Sequence, residues 1–156
     1  MAVAADVLSR PPLGRYPRVE ARGEFVFRFV IPLELCSPEN RHSHGLAWLH
    51  AARKNDLYKV MFDQHPRIRT APLQGRPFLR QIRFSCREPD LPSDGFKTPI
   101  DFLCVPRPAK RPGGRSKRGL GFIVDDAPKY IERAPAWWER APMGKGFALL
   151  EIWSGE

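Results

Sequence analysis

The sequence is short of what several protein classes require. It has only three cysteines, Cys36, Cys86 and Cys104, with no Cys-x-x-Cys or Cys-x-His spacing. An odd, scattered set of thiols excludes a disulfide framework or a zinc knuckle as the organising device. These thiols read instead as small buried apolar residues. No apolar run approaches the roughly 20 residues needed to span a bilayer. The opening Met1-Ala-Val-Ala-Ala-Asp6-Val-Leu is too short and too interrupted for the apolar core of a signal peptide. These absences point to a reducing, cytoplasmic compartment and to no membrane. Acid is scarce too: 17 Asp+Glu face 26 Lys+Arg, a formal net charge of +9. That balance favours a polyanionic partner.

Proline and glycine are plentiful, 17 and 12 residues, which implies many turns and argues against a helix bundle. With 156 residues and 42% hydrophobic content, the chain is long enough for one buried core. Residues 1–23 carry Arg10, Arg15, Arg18 and Arg22 among prolines and read as a basic arm, flexible or draped on the surface. Residues 24–156 form the folded domain. Phe25, Phe27, Phe29 and Ile31 alternate along a strand that Pro32 ends. A loop follows, and then a helix from about Gly45 to Gln64. Its inner face carries Leu46, Leu49, Ala52, Leu57, Val60 and Met61.

A second strand is expected over Pro77–Cys86, alternating at Phe78, Ile82, Phe84 and Cys86. Thr98-Pro99-Ile100-Asp101 predicts a short helix with Thr98 as N-cap and Pro99 at its first position. Residues 107–118, RPAKRPGGRSKR, hold six basic groups and no acid: Arg107, Lys110, Arg111, Arg115, Lys117 and Arg118. Prolines and glycines make this an exposed, mobile loop suited to contacting phosphate. Lys129–Arg133 is a further strand candidate, and Phe147–Trp153 is the closing strand. The fold class expected is α/β (α+β): one domain with a mixed, mostly antiparallel sheet of about four or five strands and two helices.

Four acids stand out in this basic chain: Asp90, Asp94, Asp125 and Asp126. Clustered carboxylates suit Mg²⁺, which takes hard oxygen ligands, and such an ion can assist attack on a phosphodiester. Taken alone, adjacent surface acids are usually turn residues or helix N-caps. His42, His44, His50 and His65 offer a weaker metal reading. Trp137-Trp138 could stack on unpaired bases or could cover a hydrophobic edge or dimer surface.

The stretch Gly121-Phe-Ile-Val-Asp-Asp126 resembles the glycine, aromatic, two apolar, Asp-Asp signature of the RusA-type Holliday junction resolvases. Lys97-x-x-x-Asp101-x-Leu103 is similar to that family's lysine, aspartate and leucine spacing. Ile31-Pro32 before Ser37-Pro-Glu-Asn40-Arg41, and Gly75-Arg-Pro before the second strand, agree in outline. The resemblance spans roughly residues 26–156. It implies a small homodimeric α/β endonuclease that cuts four-way or branched DNA with Mg²⁺ or Mn²⁺. Carried over, Asp125 and Asp126 hold the metal, Asp94 and Asp90 complete the set, and Lys97 faces the scissile phosphate. The family has Asp-x-Asp four residues before the lysine, whereas here Asp90 and Asp94 are spaced Asp-x3-Asp and Asp94 is three before Lys97. Two other readings stay open: a catalytically inactive RusA-like nucleic-acid-binding or interaction protein, and a scaffold whose basic loop binds an acidic protein.

Overall fold

Alternation makes the central sheet two-faced, and the two faces are covered by different material. The computed structural model describes residues 9–36 and 47–156. Strand β1 (Phe25–Pro32) pairs antiparallel with β5 (Phe147–Trp153), which pairs antiparallel with β2 (Phe78–Ser85). The far edge of β2 pairs in parallel with two short strands, β3 (Glu132–Arg133) and β4 (Trp137–Arg140). Helices α1 (Ala47–Gln64) and α2 (Lys97–Leu103) complete a five-stranded, mixed α+β domain, with one 3-10 turn at Leu33–Leu35. Among the described residues no helix is long and apolar enough to cross a membrane.

One sheet face presents Phe29, Ile31, Leu79, Leu150 and Ile152, all fully buried. It packs against α1, α2 and the run Leu120–Ile123 in one apolar cluster. The other face gathers Ile82, Phe84, Leu149 and Trp137. Residues 9–23 drape across it, with Tyr16 and Val19 packed on that cluster. The arm is tied down by polar contacts as well. Arg15 pairs with Glu88 at 3.1 Å, Arg22 with Glu132 at 2.8 Å, and Arg18 with the buried Glu139.

Several expectations change in detail. A bulge between Phe25 and Phe27 takes Phe25 off the apolar face, leaving it half exposed and edge-on to Trp153. In α1, Leu57 and Met61 are buried but Ala52 is exposed, because only the C-terminal half of the helix lies over the core. Leu46, the residues 37–43 loop, His42 and His44 fall outside the described residues. Helix α2 starts at Lys97, with Phe96 as its N-cap and no capping side chain, so Thr98 is not the cap. Pro99 sits at the third helical position, where the amide would have no intrahelical partner in any case. The third strand is only Glu132–Arg133, since Tyr130 N–H closes a turn onto the Ala127 carbonyl.

Trp137 and Trp138 lie in a strand that the sequence reading did not anticipate. They are 1% and 3% exposed, so base stacking by these rings is excluded and edge covering is what they do. Cys36 and Cys104 are buried, and burial pushes both thiols up to about 11. Cys86 is exposed, because it lies one residue past the end of β2.

Candidate nucleic-acid interface and carboxylate site

The Gly-Phe-Ile-Val-Asp-Asp run is delivered to the surface by the core. Leu120, Phe122 and Ile123 are buried, and their amides bond to the Phe102 and Leu103 carbonyls at the end of α2. Gly121 adopts a positive φ of 79°, and an added Cβ there would meet the Arg69 carbonyl oxygen at 2.7 Å. A glycine is thus required for the run to pass between α2 and residues 69–73. After Ile123 the chain leaves the core, and Asp125 and Asp126 emerge at the surface. The Asp126 N–H donates to Asp125 Oδ1 at 2.8 Å.

Residues 107–118 form a pinned ribbon. Arg107 and Lys117 pair antiparallel, with backbone bonds of 2.9 and 2.8 Å, and Gly114 N–H closes the tip onto the Arg111 carbonyl. Lys110, Arg111, Arg115 and Arg118 are exposed with Arg107, while Lys117 is half-buried. The pinned stem departs from the free loop expected, because the Cys104–Ile123 bridge beneath it anchors both strands of the ribbon to the core.

The two paired stem residues each meet an acid. Arg107 Nη2 lies 3.0 Å from Asp125 Oδ2, and Lys117 Nζ lies 4.0 Å from Asp101 Oδ1. The Arg107 hydrogen bond, followed by the hydrogen bonds of Asp126, holds Asp125 down to about 2. Burial pushes the Asp101 carboxyl above the usual carboxylate value. Lys117, Lys97 and Lys54 pull against that shift, and Asp126 adds to it. Asp101, Asp125 and Asp126 therefore sit within one electrostatic neighbourhood, with Lys97 one helical turn before Asp101.

Asp90 and Asp94 are held by other partners. The exposed Asp90 accepts a bond from Tyr16 of the arm through its backbone carbonyl. Asp94 closes the turn 91–94 and offers its carbonyl to Arg83 at 3.4 Å. Among the described residues no three His, Cys, Asp or Glu side chains are grouped as a ready metal site. The donor types at Asp101, Asp125 and Asp126 nevertheless suit a hard divalent cation. Such an ion would compete with Arg107 and Lys117 for those oxygens. Asp101 is the acid that sequence reasoning did not place in the site. Its signal was the i, i+4 spacing from Lys97, which puts both side chains on one helix face. His65 is no ligand candidate: its ring lies edge-on to Phe27 and tilted against Phe122, with Nδ1 3.0 Å from the Arg67 carbonyl.

No family model, curated protein or solved structure matches the chain.

Proposed function

We propose that the chain binds DNA through the basic ribbon and hydrolyses its backbone at the adjacent carboxylates, as a metal-dependent endonuclease of the RusA type acting on branched DNA. One observation carries this reading: six basic side chains with no acid among them form a ribbon whose stem rests directly on Asp101 and Asp125. The ribbon cations bind phosphate and release counterions. Lys97, exposed on the first turn of α2, contacts the phosphate next to the acids. Asp125, Asp126 and Asp101 would hold Mg²⁺ or Mn²⁺, which when bound supplies charge neutralisation and an activated water. Phosphate arriving at the ribbon competes for Arg107 and Lys117, and so frees the carboxylates those residues now neutralise. A homodimer is the assembly that the resemblance favours, and the scattered, odd set of cysteines suits a reducing, cytoplasmic setting.

A binding-only role is the second reading, favoured by the same two ion pairs, which leave two of the three acids already neutralised. Incubating purified protein with a four-way junction and Mg²⁺ or Mn²⁺ separates the two. Cleavage that disappears in Asp126→Asn, with junction affinity kept or raised, supports the nuclease. Tight junction binding with no cleavage by the wild-type chain refutes it and leaves the binding-only role.

A further inference from the structure

The ribbon stem separates two open clefts of different chemistry. One, about 350 Å³, is lined by Lys110, Arg111 and Arg115 with the stem residues Arg107 and Lys117. It presents five cations and no acid. The other, about 370 Å³, shares Arg107 and Lys117 but is lined on its far side by Tyr58, Ile68, Pro106 and Arg118. Ile68 is 47% exposed there, an apolar side chain beside one of the most basic parts of the surface.

Arg118 lines this second cleft, and its guanidinium is held in place. Its guanidinium carbon lies 4.8 Å from the Tyr58 ring centre and 5.8 Å from that of Phe102. Its Nη2 donates to Asn55 Oδ1 at 2.7 Å. Arg118 is nonetheless exposed, so its guanidinium plane can meet a planar partner. Arginine planes and aromatic rings are the surfaces on which unpaired bases stack.

We propose that the ribbon stem binds one unpaired nucleotide, its base in the Tyr58–Ile68–Arg118 cleft and its neighbouring phosphates on the Lys110–Arg111–Arg115 side. The proposal rests on the DNA-binding reading and adds that the partner is recognised where a base is unstacked. Charge complementarity sets the occupant: a planar ring carried on a phosphate chain matches an apolar, cationic slot beside five cations. The two tryptophans that sequence reasoning offered for stacking are buried, and the Tyr58–Arg118 pair supplies the accessible planar surface in their place.

The test compares a short oligothymidylate with an abasic oligomer of the same length and charge, by fluorescence anisotropy at one salt concentration. The oligothymidylate should bind about five-fold tighter or more, the span expected for one stacked base. Arg118→Lys keeps the charge and removes the plane. Ile68→Ser alters only an exposed side chain, so folding is not at issue. Either change should shrink the gap to less than about two-fold, and Ile68→Ser should do so with the abasic affinity unchanged. Equal binding of the two oligomers by the wild-type chain overturns the base slot while leaving phosphate binding intact. A gap that survives both substitutions overturns the assignment to this cleft. Failure of both oligomers to bind at low salt overturns the DNA reading together with it.

Discussion

Cations meet carboxylates both in the central sheet and at the ribbon, with opposite consequences. In the sheet, Arg28, Glu151 and Arg80 are register partners across β1, β5 and β2. Glu151 is fully buried and takes Arg28 Nε at 2.8 Å and Arg80 Nε at 2.5 Å. The guanidinium of Arg28 lies over Phe25, and that of Arg80 lies over Trp153 and Trp137. No outside group can take Glu151's place. At the ribbon, Arg107–Asp125 and Lys117–Asp101 have side chains roughly a third to a half exposed. Water, a cation or a phosphate can reach them. The same pairing is structural where it is sealed and exchangeable where it is open.

The largest expected effect is therefore in the sheet. Glu151→Ala would strand two half-buried guanidinium groups and should cost about 3–5 kcal/mol of stability, read as the denaturant midpoint. A loss below about 1 kcal/mol would mean that the two regions do not differ. The double change Arg107→Ala with Lys117→Ala is the counterpart at the ribbon. Melting should barely move, because exposed pairs contribute little. Mn²⁺ affinity, followed by titration calorimetry, should rise several-fold as two competing cations disappear. Unchanged Mn²⁺ affinity would break the idea that these pairs occupy the carboxylates an ion needs.

Smaller effects follow from the two shifted acids at the ribbon stem. Asp101 has its folded-state proton affinity raised by burial. Its ionised form therefore costs stability at pH values above the folded pKa, and the cost is absent below the ordinary unfolded value near 4. Asp101→Asn should raise Tm at neutral pH by on the order of 1–2 °C and leave it unchanged at low pH. Asp125 behaves with the opposite sign. Its carboxylate is held down to about 2, so its contribution is present above about 4 and is lost as the pH falls toward 2. In Arg107→Ala, the Asp125 carboxyl titration followed by NMR should move back up toward the ordinary carboxylate value. A midpoint that stays near 2 would assign the shift to something other than Arg107.

Much of the fold was legible because period-two apolar patterns bounded by proline are strong signals. The chain reading of β5 matches its observed bounds, and β1 and β2 match to within a residue or two. What was not legible depends on tertiary partners. Strand β4 hides in Trp137-Trp138-Glu139-Arg140, where alternation is masked because Glu139 is buried by Arg18 from the arm and by the Trp137 indole N–H. The start of α2 was misread because a Thr-Pro pair resembles a cap, whereas the helix begins without a capping side chain. At the site, Asp125, Asp126 and the ribbon could be read from sequence. The link from Asp101 to Lys117 could not, since it arises only when residues 107 and 117 pair. The same holds for Tyr58, Ile68 and Arg118, which come together from three separate segments.

On the proposed function, the ribbon carries the phosphate contacts beside the acids. The most direct measurement is junction affinity against salt concentration, for the wild-type chain and for a variant with Lys110, Arg111 and Arg115 changed to glutamine. On duplex arms each neutralised phosphate contributes a log–log slope of about −0.9. The variant should therefore bind more weakly, with a slope shallower by about two to three, while its melting temperature is unchanged. An identical slope and affinity in the two proteins would contradict the account.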